Sequence, residues 1–222
     1  MAGCTQEAAA PPTTAAKPDP TPSPPPAPVS NTQTWTFDGP GPIPAGVRTA
    51  ETGGAGHPAT WTVRPMPDAP SPPNAFGITR SDNDKSTYNL AIVSDVSVKD
   101  TDLSVMVKAD GGVLDAGGGP IWRVTDDDNY YIARWNPLES NVRFYVMAGG
   151  VRSALAEASI TLDTTQWHSL RVIAEGTSME LFVDDMPVLR TEDKTHRVAG
   201  AVGLWSKADA TTMFDDLSIA PP

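Results

Sequence analysis

The sequence predicts an all-β fold, an antiparallel two-layer sandwich, and three observations carry that reading. Short runs of alternating apolar and polar residues recur from Trp35 to Ile219. Turn residues separate the runs at hairpin spacing, and no stretch sustains a helical period. In order, the predicted strands cover residues 34–37, 60–64, 75–79, 88–92, 102–108, 119–124, 130–136, 141–147, 151–156, 168–175, 178–183, 186–191, 200–205 and 213–219. Punctuation falls at Asp126-Asp127-Asp128-Asn129, Gly149-Gly150, Glu175-Gly176 and Asp184-Asp185, where Gly and Asp favour tight turns. Residues 65–73 read as loop, because their prolines have no N–H to give a ladder. Residues 154–158 are the most helix-like piece and are too short to matter. Many strands and no helix leave a closed or two-layer antiparallel architecture.

Of the 222 residues, 1–33 read as a lipid-attachment remnant followed by a disordered proline-rich linker, and 34–222 as one sandwich domain. The linker, from Thr5 to Thr32, mixes nine prolines with Ala, Thr and Ser and lacks apolar mass for a core. As polyproline II at about 3.1 Å per residue it reaches on the order of 80–90 Å, the length of a spacer. The formal charge of −11 argues against nucleic acid or an anionic membrane surface as partner, and suits solubility, a cation or a neutral ligand. Cys4 is the one cysteine, so neither an internal disulfide nor a cysteine metal cluster is available. No apolar run approaches the roughly 20 residues of a membrane helix.

Ala2-Gly3-Cys4 resembles the end of a bacterial lipobox, although Met1 stands where that motif has Leu or Val. The resemblance implies an exported lipoprotein, periplasmic or cell-surface, held to the membrane only through a lipid on Cys4.

The segment Gln166-Trp167-His168-Ser169-Leu170-Arg171-Val172, then Glu175-Gly176, then Leu181-Phe182-Val183-Asp184-Asp185, reads as a strand, a Gly turn and a returning strand. Leu170 and Val172 share one face, and Leu181 and Val183 share it across the hairpin. This pattern resembles the concanavalin A-like (laminin-G-like) superfamily. A broader likeness, through Ile121-Trp122-Arg123, residues 129–134, residues 202–209 and Phe214-Asp215-Asp216, is to secreted bacterial members near the 3-keto-disaccharide hydrolase domain family. It implies a jelly roll, with packing as the ordinary role of His168.

Laminarinase-type glycosidases of this fold carry a Glu-x-Asp-x-x-Glu strand, because retaining hydrolysis needs two carboxyls about 5–5.5 Å apart. That pattern is missing: Glu180 is isolated, Glu192-Asp193 lies in a polar turn, and Glu139 sits in a loop. There is no Gly-x-Ser-x-Gly elbow, and His57, His168 and His196 lack metal-type spacing. A hydrolase or lyase acting on 3-keto-glycosides stays open by fold analogy alone.

A binding face is predicted from strand alternation. Tyr130, Arg134 and Asn136 share one face of their strand, and Asn141, Arg143 and Tyr145 share one face of the next. Trp122, Arg123, Trp205 and Lys207 join them if their strands are neighbours. Aromatic rings beside Asn, Arg and Lys suit a sugar, with rings against C–H patches and polar groups on hydroxyls. The alternative is cross-strand pairing that merely covers a sheet. A structural Ca2+ is the cofactor expectation: by family resemblance Asp38, Gly39 and Asp216 would be ligands where first and last strands meet, the alternative being plain turn aspartates. Asp126-Asp127-Asp128 is read as a turn. Three functional readings follow: a glycan-binding module of a lipoprotein, present as a monomer; an enzyme on modified sugars; and an adhesive module for another protein.

Overall fold

A computed structural model describes residue 1 and residues 31–39, 41–53 and 56–222. Cys4 and the linker up to residue 30 lie outside the described residues.

The strands among the described residues run, in chain order, β1 (Gln33–Trp35), β2 (Val47–Thr52), β3 (Thr60–Pro65), β4 (Asn74–Arg80), β5 (Tyr88–Val98), β6 (Thr101–Gly111), β7 (Gly118–Asp126) and β8 (Asn129–Asn136). They continue through β9 (Asn141–Ala148), β10 (Val151–Ser159), β11 (His168–Glu175), β12 (Ser178–Val183), β13 (Met186–Glu192), β14 (Gly200–Lys207) and β15 (Thr211–Ala220). No helix occurs among them. One sheet has the order β13-β12-β11-β6-β15-β4-β3, with β1 on the C-terminal half of β15. The other has the order β10-β9-β8-β7-β14-β5-β2. Every pairing is antiparallel.

The alternation works as predicted. Leu170 stands opposite Val183 and Val172 opposite Leu181, and all four enter the core between the sheets with Leu103, Val105 and Val107. Facing them from the second sheet are Tyr131, Ala133, Trp135, Val142 and Phe144. Each buried Leu, Val and Phe among them contributes roughly 1.5–3 kcal/mol through burial. His168 has the packing role: its Nδ1 lies 2.8 Å from Asp184, its Nε2 lies 2.8 Å from the carbonyl of Asp163, and its ring meets Trp135 edge-on. Asp184 and Asp185 take positive φ in the tight turn expected of them.

One strand, β2, escapes the sequence pattern. It is an edge strand whose faces hold Val47, Thr49 and Glu51 against Arg48, Ala50 and Thr52, so no clean apolar face marks it.

Two predicted binding residues are corrected. Trp122 points inward, stacked on Tyr131 at 5.5 Å and edge-on to Phe144. Arg123 follows in a bulge at φ +51° and is buried. Its guanidinium donates to the carbonyls of Lys99, His196 and Gly176 at 2.7, 2.9 and 2.8 Å, with Asp100 Oδ1 at 3.3 Å. Trp122 obeys alternation, one residue after the outward Ile121, whereas the extra residue of a bulge re-aims the side chains after it, so the alternation count fails from Arg123 onward. Arg123 is a clamp across three turns.

The second sheet curls strongly. β2 and β8 are four strand spacings apart, about 19 Å in a flat sheet, yet the Thr52 and Tyr130 hydroxyls lie 2.8 Å apart. Thr52 also donates to the Asp127 carbonyl, and Arg48 pairs with Asp127 at 2.6 Å. The curl, with the β7–β8 hairpin bent at Arg123, encloses a second core of Leu90, Ile92, Ile121, Ile132, Met147 and Trp205.

Removing the clamp isolates its role. Arg123→Ala should lower unfolding free energy by about 3–5 kcal/mol, the usual loss when one partner of a buried polar network is removed and the rest are left unpaired. Urea denaturation measures this, and ligand affinity of the folded variant should match wild type.

Candidate functional site on the concave sheet

Alternation in β8 and β9 sends Tyr130, Ile132, Arg134 and Asn136, and Asn141, Arg143, Tyr145 and Met147, to the face opposite the inter-sheet core. The sequence reading had that face as an open patch. Instead the curl buries most of it under its own side chains. Tyr130 is fully buried beside Thr52, and burial pushes its phenol above the ordinary range. Asn136 is buried and accepts the Leu138 N–H at 2.9 Å, capping the β8–β9 turn. Trp205 is buried in the second core, stacked on Tyr88 at 5.6 Å.

The remaining predicted residues, Arg134, Asn141, Arg143, Tyr145 and Lys207, do converge, at one corner of the concave face. Arg134 is 1% exposed. Its Nη2 donates to Glu139 at 2.8 Å and to Asn141 at 3.0 Å, while Nη1 faces Asp115 Oδ2 at 3.5 Å. Its Nε, also buried, has no partner. Arg143 is held by Glu157 at 2.8 Å, Glu139 at 3.1 Å and the Tyr145 hydroxyl at 3.1 Å. The Lys207 ammonium makes no hydrogen bond among the described residues; it stands 3.9 Å from Asp115 Oδ2.

Three participants were missed. Glu139, a loop acid by sequence, binds both Arg134 and Arg143. Arg152, on β10, lies across Tyr145 at 4.3 Å, Tyr88 at 4.8 Å and Trp205 at 5.8 Å. Asp115 sits in the β6–β7 loop, outside any strand, and is 1% exposed. Burial raises its carboxyl above the ordinary range, against the charges of Arg134 and Lys207. Burial also raises Glu139, but the hydrogen bond and charge of Arg134 outweigh this and hold it below the usual range. Lys207 is lowered by burial first and then by the charge of Arg152.

The loop carrying Asp115 is held by Asp209, whose carboxylate accepts three backbone N–H groups, from Val113, Leu114 and Asp115, at 2.8, 2.9 and 3.1 Å. Val113 and Leu114 consequently point to solvent, as does Leu138 beside Glu139. They form an apolar rim next to the charged corner. Towards the other end of the strands, the same face opens into a cavity of 350 Å3 lined by Arg48, Ile92, Ser94, Val124, Thr125 and Ala201, among others.

The expected calcium ligands lie elsewhere. Asp216 sits in the β15 bulge where β1 gives way to β4, and its Oδ1 accepts from the Ser71 hydroxyl at 2.6 Å. Asp38 accepts the Asn74 N–H at 3.2 Å, and Gly39 is exposed. Between them the fully buried Asp215 binds the N–H groups of Ser71 and Asp216, and burial pushes its carboxyl up to about 6. Among the described residues, no group of three or more His, Cys, Asp or Glu is arranged to hold a metal ion.

Comparison with solved structures agrees with this architecture. The carbohydrate binding module CBM66 from Bacillus subtilis superposes with a TM-score of 0.61 at 22% identity, covering 79% of this chain and 96% of that one. A Bacillus licheniformis β-glucanase superposes with a TM-score of 0.60 at 12% identity, covering 87% and 99%. The fold is a concanavalin A-like jelly roll. No family model matches the sequence. A levanase of Bacillus subtilis (strain 168) is 28% identical over 141 residues, which make up 63% of this chain and 20% of the levanase. The chain thus matches about one fifth of that relative's length. Within the jelly roll, the charged corner occupies the concave sheet.

The Asp209 tether can be tested directly. Asp209→Ala should abolish hydrogen-exchange protection of the amides at residues 113–115 and cost about 1–3 kcal/mol of stability, since it strips partners from charge-assisted hydrogen bonds.

Proposed function

We propose that this domain is a carbohydrate-binding module, one that holds a glycan without turning it over, at the corner formed by Asp115, Arg134 and Lys207. One observation carries the reading: Asp115 Oδ2 faces Arg134 at 3.5 Å and Lys207 at 3.9 Å, distances that leave direct hydrogen bonds unmade. A sugar hydroxyl both donates and accepts. Asp115 and Arg134 are each 1% exposed, so a sugar hydroxyl meets them from the outer side of the corner, past the more exposed Lys207, Glu139 and Arg143, giving its proton to the carboxylate and taking one from a cation. The exposed Val113, Leu114 and Leu138 offer apolar surface to the sugar's C–H faces. The names of the levanase and of the carbohydrate binding module support the same class of ligand. Export and a lipid anchor at Cys4 belong to this proposal, supported by Ala2-Gly3-Cys4 and the proline-rich spacer.

Calorimetry against levan, β-glucan and arabinan oligosaccharides tests the reading, with saturable binding as the expected result. Asp115→Ala and Lys207→Ala should each weaken that binding at least about tenfold, roughly 1.4 kcal/mol. A folded protein that gives no heat with any saccharide removes the proposal. A second reading, turnover, is favoured by one feature: Asp115 is raised and Glu139 lowered around a shared Arg134, the division that separates an acid from a base. Product analysis after incubation with the same oligosaccharides distinguishes the two.

A structural calcium at Asp38, Gly39 and Asp216 is a separate proposal, supported by the approach of both aspartates to the loop at residues 71–74. EDTA should then lower the melting temperature and excess calcium restore it; an unchanged midpoint ends the proposal.

A further inference from the structure

The charged corner holds more positive charge than its own carboxylates neutralise. Glu157 and Glu139 are taken by Arg143, and Glu139 also serves Arg134. That leaves Asp115 to face Arg134, Lys207 and, beyond them, Arg152. The Arg152 guanidinium makes no ion pair and no hydrogen bond among the described residues, and its Nη1 is buried without a partner. The three rings beneath it explain its orientation, since cation–π contacts are attractive. They do not satisfy its N–H groups, which need acceptors in its plane. Lys207 is next to it, close enough for the two charges to repel. Four cations therefore meet three carboxylates here, in a chain whose formal charge is −11. Arg152, unpaired beside a Lys207 that shares Asp115 with Arg134, leaves one positive charge in excess on an acidic protein and calls for an anion from outside.

From this charge balance we infer that the glycan carries a carboxylate, a uronic acid residue, seated against the Arg152 guanidinium and the Lys207 ammonium. The inference rests on the carbohydrate-binding reading and narrows it. A planar carboxylate matches the guanidinium fork in two parallel hydrogen bonds. The sugar hydroxyls then fall to Asp115 and Arg134, which a neutral sugar would use as well.

Matched probes separate charge from shape. Oligomers of galacturonate, glucuronate and mannuronate are titrated beside their methyl esters, which keep the backbone and lose the charge, with sulfated and neutral oligosaccharides as further arms. At least one uronate oligomer should bind ten-fold or more tighter than its ester, and the advantage should shrink as salt is raised. Arg152→Gln should erase that advantage, and Arg152→Lys should restore part of it. Both substitutions sit on a partly buried edge strand, and a circular dichroism melt checks that they fold. Equal binding of uronate and ester, or of neutral oligosaccharides alone, overturns the inference and leaves the glycan reading standing. Binding confined to sulfated sugars overturns the carboxylate. Binding of no saccharide overturns both.

Discussion

The seven-stranded sheet can roll over its own outer face only because backbones approach where no side chain fits. A Cβ on Gly119 would stand 2.0 Å from the Ala133 carbonyl oxygen, and one on Gly203 would stand 2.3 Å from that of Ala91. These two positions flank the contact between the central strands β7 and β14, so bulk at either would pry neighbouring strands apart. Bulges after Trp122 and between Ala201 and Gly203 add local bend and twist. The outcome is a sheet with two buried faces, one against its partner sheet and one against itself.

That double burial sets the electrostatics. A guanidinium taken out of water is tolerated only when paired and hydrogen-bonded, and Arg134 meets the condition on one side alone. Glu139 and Asn141 satisfy Nη2, while Nη1 looks across a gap to Asp115 and Nε has no acceptor. Arg152 solves its own burial differently, by lying on three rings. Buried donors left without a partner call for an explanation, and a bound water or ligand is one.

Much of the fold was legible because pleat alternation is a local property. Leu170, Val172, Leu181 and Val183 announce their shared face within fourteen residues, and the structure pairs them accordingly. The candidate site was legible only as far as alternation held. Arg134, Asn141, Arg143 and Tyr145 were found together because β8 and β9 are regular along that stretch. Trp122 was misplaced because its regular pairing opposite Tyr131 sends it to the inter-sheet core, and Arg123 because the bulge begins there. Asp115 lay beyond reach for another reason: it belongs to a loop, and its position depends on Asp209, 94 residues later in the chain. Nor does any local signal say that a sheet will curl, so buried residues looked like surface ones.

The filled concave face also constrains what a ligand can do there. An open trough admits a polymer along its length and recognises many units weakly. Here Trp205, Tyr130, Ile132 and Met147 occupy the space such a polymer would use. On the proposed reading, contact falls to the corner and its rim, apart from the cavity beside Arg48 and Thr125 at the other end, and a few polar atoms carry the discrimination. Those atoms are already fixed before any ligand arrives: Asp115 by Asp209 and the Gly117 N–H, Arg134 by Glu139 and Asn141, Arg152 by its rings. A small contact built from preset groups loses little entropy on binding, and that offsets its lack of area.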